Sequence, residues 1–188
     1  MTTTTALPYR IGPADAGCRY PVIVGTDLEI GRAYRWHRDW LVVTSQGETC
    51  LGRPPQGTRG VDMAAAHLAQ EYAAGKITAA PLTEASTQGL AELGPVPLLH
   101  PRMPATARNQ AGAHRAFAGL RAHRWTAHGG FPGSDNPWAL SCDLCGWTGL
   151  RFWSHLRGRN GNPPSPTRHD GGCIGPDQVR ALIPAYQQ

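Results

Sequence analysis

The chain almost lacks lysine: its 188 residues hold one, Lys76, against seventeen arginines. Long apolar runs are missing as well. None approaches the roughly 20 residues that span a bilayer, so no membrane partner is expected. Met1 to Pro8 contains a threonine run without the charged-then-apolar order of a secretory signal, and a cytoplasmic protein is expected. Hydrophobic content is low, at 40%. There is no phosphate-cradling glycine loop, no Gly-x-Ser-x-Gly nucleophile turn and no His-Glu-x-x-His helix. No common enzyme signature stands out.

Arginine, glycine and proline are abundant, with 23 Gly and 17 Pro. Such a chain divides its core among small units joined by irregular segments, and small units often need a metal or another staple. The net charge of +5 and pI of about 9.2 suggest acidic partners, nucleic acid first. The same composition matches the codon bias of a high-GC genome, so clustering of arginines is more informative than their number.

Residues 1–16 read as a flexible tail, followed by a small sheet-plus-helix domain over 17–76. Strands are expected at Tyr20 to Val24, Leu28 to Trp36, Asp39 to Ser45 and Glu48 to Leu51, with turns at His37-Arg38 and Gln46-Gly47. A helix from about Gly60 to Gly75 aligns Val61, Ala65, Leu68 and Tyr72 on one face. This element order resembles small nucleic-acid-binding modules, among them phage-integrase arm-binding domains and double-stranded-RNA-binding domains. A packing or protein-contact domain has the same order.

Residues 77–122 read as linker and helices. One short helix is expected from Thr83 to Leu93. A longer one runs from about Ala105 to His123, with Ala113, Phe117 and Leu120 as its apolar stripe. Arg108, His114, Arg115, Arg121 and Arg124 lie mostly off that stripe, either as a solvated basic face or as one turned to nucleic acid. The fold class is α+β, because strands and helices come in separate short groups.

The strongest signal lies in the last domain, 123–188. Strands are expected at Trp125 to His128 and Trp138 to Ser141, then Cys142-Asp-Leu-Cys145-Gly-Trp. After twenty-three intervening residues comes His169-Asp-Gly-Gly-Cys173. Two thiolates separated by two residues close a strainless chelate ring, and tetrahedral zinc then needs two more donors. Cys173 is the better of these, and His169 is preferred for the last place. His155, in a helical turn ten positions after Cys145, is the alternate ligand. The implied cofactor is Zn²⁺, held in a reducing compartment where thiolates persist. Cys18 and Cys50 remain outside this set. Gly175-Pro176 opens a final helix with Val179, Leu182 and Ile183 on its apolar face.

A cysteine knuckle on a hairpin, with further ligands just ahead of a helix, resembles the treble-clef and related zinc-finger families over residues 138–184. The gap between ligand pairs is longer than in a two-cysteine, two-histidine DNA-reading finger. Within it lie Arg151, Arg157, Arg159 and Arg168, with Asn160 and Asn162 and the rings of Trp147, Phe152 and Trp153. Arginines hold phosphates, asparagines reach base edges, and exposed rings stack on bases. Alternatively the rings form the mini-core of the zinc module. The expected nucleic-acid contacts are Arg151, Arg157, Arg159, Asn160 and Arg168.

The first expectation is a non-enzymatic zinc protein that binds DNA or RNA, of a regulatory kind and phage- or plasmid-borne. The alternatives are a structural or adaptor protein that meets another protein, and a metal-dependent endonuclease. The last follows from treble-clef-like cores in His-Asn-His endonucleases, with His155, Asn160, Asn162 and His169 as suitable residue types. The chain lacks the Asp-His pair and second Cys-x-x-Cys common in that family.

Overall fold

The computed structural model describes residues 7–83, 95–159 and 161–187. The chain forms two compact units, Met1–Ala91 and Glu92–Gln188. Both contain strands and helices, so the α+β class holds. The short helix expected at Thr83 to Leu93 falls almost wholly on residues 84–94, outside the described residues.

The first unit is an antiparallel meander of five consecutive strands: β1 (Tyr9–Ile11), β2 (Tyr20–Val24), β3 (Leu28–Trp36), β4 (Asp39–Thr44) and β5 (Gly47–Gly52). A two-residue strand, β6 (Ala80–Pro81), pairs with the start of β3. Helix α1 (Gly60–Ala73) covers one face. The helix buries Val61, Ala65 and Leu68 as its periodicity requires, and Tyr72 packs partly buried at the edge.

One feature differs from the sequence expectation, and a second lies beyond what the sequence pattern records. Residues 9–11 are not part of a tail; they pair with Val22, Ile23 and Val24 as the edge strand β1. Strict alternation along β3 would also place Ile30 and Ala33 on opposite faces. Both nonetheless belong to the core under α1. Val22 pairs with Gly31 and Ile23 with Glu29, so Ile30 is an extra residue, a bulge that resets the alternation.

The second unit contains α2 (Ala107–Ala122) and the three-stranded antiparallel sheet β7 (Trp125–Ala127), β8 (Pro137–Cys142) and β9 (Thr148–Phe152). A single helical turn, α3 (Trp153–Leu156), follows β9, and α4 (Pro176–Leu182) closes the unit. Helix α2 belongs to this unit rather than to a linker. Thr106 caps it, accepting a hydrogen bond from the Asn109 N–H at 3.2 Å.

Ala113, Ala116 and Leu120 of α2 pack with Trp125, Phe131, Trp138, Leu140, Trp153 and Leu156. Trp138 takes Phe117 and Phe131 edge-on, with ring centroids 5.1 and 5.3 Å away. Its indole N–H donates to the Gly129 carbonyl at 2.7 Å, which ties down the loop before β8. A Cβ at Gly119 would collide with the Trp153 ring, so glycine lets α2 approach that indole. In α4, Val179 is buried as expected, and Ile183 just beyond its end is buried too. Leu182 is 57% exposed and lies off the apolar face.

Cys18 is buried and Cys50 exposed, and neither forms a disulfide. Among the described residues, no helix is long and apolar enough to cross a membrane.

Candidate metal centre

The knuckle forms because β8 ends at Cys142 and the chain reverses at once. The Gly146 N–H donates to the Cys142 carbonyl at 2.8 Å, and the Cys142 N–H to the Trp147 carbonyl at 2.7 Å. Gly146 has a φ of 74°, which side chains oppose and glycine accepts. The second ligand pair lies on a tight turn in which the Gly172 N–H donates to the His169 carbonyl at 3.1 Å. Gly175 and Pro176 then start α4.

One donor atom from each of Cys142, Cys145, His169 and Cys173 lies within 4.8 Å of all the others. The Sγ atoms of Cys142 and Cys173 are 3.6 Å apart, and Cys145 Sγ is 3.1 Å from His169 Nε2. A zinc tetrahedron of ordinary bond lengths spaces two sulfurs by about 3.8 Å and sulfur from nitrogen by about 3.5 Å. Donor types, number and spacing therefore fit a zinc ion closed to substrate. His155 is exposed, rests against Phe152 and is not in the cluster. His169 is the nitrogen donor of the set, and the alternate is set aside. Among the described residues no second group of this kind occurs.

The surroundings prepare these ligands. His169 is 4% exposed, and its ring stacks on Trp147 with centroids 4.6 Å apart and planes 4° from parallel. Its Nδ1 is 3.0 Å from the Asp170 carbonyl, which selects the tautomer that leaves Nε2 free to bind metal. Burial pushes the Cys142 thiol up, but the Leu144 backbone N–H and the Arg168 guanidinium outweigh it and hold it below its usual value. Burial, with its cysteine neighbours, pushes the Cys173 thiol up to about 11. A divalent cation relieves that crowding by displacing thiol protons.

Arg168 was expected on the nucleic-acid surface, and the structure corrects that. It is 1% exposed. Its Nε and Nη2 donate to Cys142 Sγ at 3.4 and 3.3 Å, and Nη1 and Nη2 donate to the carbonyls of His123 and Arg124 at 2.7 and 2.8 Å. The guanidinium also lies over the Trp125 ring, 4.4 Å from its centroid. No carboxylate meets it among the described residues. With zinc bound, three thiolates and a neutral imidazole would leave the cluster one net negative charge, which the Arg168 guanidinium would balance. Nothing in its sequence context distinguishes Arg168 from its neighbours.

The other expected contacts separate. Arg157 and Arg159 are exposed, Arg151 is half-buried in β9, and Asn160 lies outside the described residues. Trp153 is buried in the core and Trp147 packs on His169, so these rings serve the mini-core. No protein-family model, curated protein or solved structure matches the chain.

Proposed function

We propose that this is a zinc-stabilised, non-enzymatic protein that binds nucleic acid through its second unit. The ion's part is to crosslink the two ends of the segment between Cys145 and His169, so that its arginines are held on a fixed scaffold. One observation carries the reading: the positive charge is segregated. Residues 95–188 contain ten arginines and four aspartates, whereas residues 1–94 contain eight cationic and nine acidic side chains. Arg108, Arg115, Arg121 and Arg124 are exposed on or next to α2, and Arg157 and Arg159 are exposed beyond α3. Codon bias acts on both halves alike and does not produce this asymmetry.

Fluorescence anisotropy with labelled DNA and RNA tests the reading. Affinity should fall steeply as salt rises, because counterions released from phosphates drive such binding. Arg157→Ala with Arg159→Ala should weaken binding and reduce the salt slope by about one to two. Absence of salt-dependent binding to either nucleic acid would reject it in favour of the adaptor role.

A further inference from the structure

A cleft of about 350 Å³ opens in the second unit between α2, the loop before β8 and the end of α3. Arg108 and Arg115 approach it from α2, and Arg157 from the other side. Phe131 and Trp153, both largely buried in the core, contribute its apolar wall, and no acidic residue lines it. None of the three arginines is paired with a described carboxylate. Three guanidinium groups around one concavity repel each other, and an anion entering it relieves that repulsion.

Helical geometry explains the opening. Arg108, Gly112 and Arg115 stand at offsets of zero, four and seven, so they share one face of α2 with the glycine between the arginines. Glycine is a poor residue for a helix interior. A Cβ at Gly112 would meet only Phe131 Cε1, at an ordinary 3.8 Å, so core packing does not require glycine there. A longer side chain would project into the cleft. The glycine keeps open the space that the arginines border.

We propose that this cleft binds one nucleotide, with its phosphate on Arg108, Arg115 and Arg157 and its base against the Phe131–Trp153 wall. The volume falls within the roughly 300–1,000 Å³ of small-molecule sites. A duplex cannot enter it, whereas an unpaired nucleotide of a single strand can. The inference deepens the nucleic-acid reading and rests on it for the source of the nucleotide, but not for the chemistry of the cleft.

The test is a titration of the zinc-loaded full chain, followed by NMR. The probes are adenosine monophosphate, inorganic phosphate and a single-stranded DNA of about ten nucleotides, a usual single-strand site size. Adenosine monophosphate should give saturable shifts at the Gly112 amide and the Trp153 indole, and phosphate should compete with it. Arg115→Ala should weaken binding about tenfold, as expected for loss of one charged hydrogen-bonding group. Gly112→Leu should abolish binding with zinc content and the remaining spectrum unchanged. Unsaturable shifts spread over exposed arginines, or affinity unchanged in both variants, would overturn the cleft. If the single strand binds with a salt dependence but ignores both variants, the cleft fails while the nucleic-acid reading stands. If adenosine monophosphate occupies the cleft and no nucleic acid binds, the cleft stands as a free-nucleotide site and the nucleic-acid reading fails.

Discussion

The two units achieve cohesion in different ways. Around α1, the first packs Val22, Val24, Ile30, Ala33, Val42 and Leu68, an aliphatic core without large rings at its centre. The second relies on large rings, a Cys₃His cluster and a buried guanidinium. Aliphatic burial is spread over many contacts and tolerates gradual change. A metal held by the Cys₃His cluster would concentrate stability in a few atoms, so single substitutions there should be far more damaging. The contrast extends to charge, since the unit with the metal cluster also carries the excess of arginine.

The sharpest break in this contrast is Cys145→Ser. Structural zinc contributes on the order of 10 kcal/mol of folding free energy in finger peptides. The substitution should unfold residues 138–184 and leave the α1 sheet intact, as amide exchange would report. Stoichiometric zinc retained in the variant would contradict the ligand assignment.

Next in size is Arg168→Gln. Removing one partner of a buried charge pair costs about 3–5 kcal/mol, because the other charge is left uncompensated. Zinc affinity should fall alongside stability, measured by chelator competition and by melting. Arg157→Ala, which touches an exposed arginine, should change neither. Equal effects of the two would show that Arg168 is not the counter-ion.

Gly119→Ala should be milder, at about 1–3 kcal/mol of overpacking against Trp153. Chemical denaturation would measure it, and a neutral result would mean that α2 and Trp153 are not in close contact.

The smallest effect is acid sensitivity. Burial lowers the pKa of His123, helped by the nearby Arg168 charge, and burial alone lowers that of His128. The unfolded chain therefore takes up these protons first. The associated stability is fully present above the ordinary histidine pKa of about 6.5 and is lost progressively as pH falls from there through the lower folded-state values. Melts of His128→Gln should lose less stability on acidification than melts of the parent protein. Equal loss would remove His128 from the account.

Much of this contrast was legible in the sequence. The turns at His37-Arg38 and Gln46-Gly47 bounded the strands of the meander, and the face Val61, Ala65 and Leu68 marked α1. Ligand spacing picked out Cys142, Cys145, His169 and Cys173. Periodicity could not reveal the Ile30 bulge, because an extra residue disguises itself as a change of face; mid-strand Gly31 was the one hint. Strand β1 leaves no periodic signal, because three residues are too few to show a period. Arg168 was misplaced because an arginine between surface arginines looks like one of them, and only tertiary packing turns it inward. The cleft combines residues from three separate segments, which no local pattern records.

The most direct test of the central claim is zinc stoichiometry together with X-ray absorption at the zinc edge on the purified chain. One zinc per chain is expected, bound by three sulfurs and one nitrogen, lost in Cys145→Ser and retained in His155→Ala. A protein that folds its second unit without metal, or a zinc shell dominated by oxygen, would contradict it.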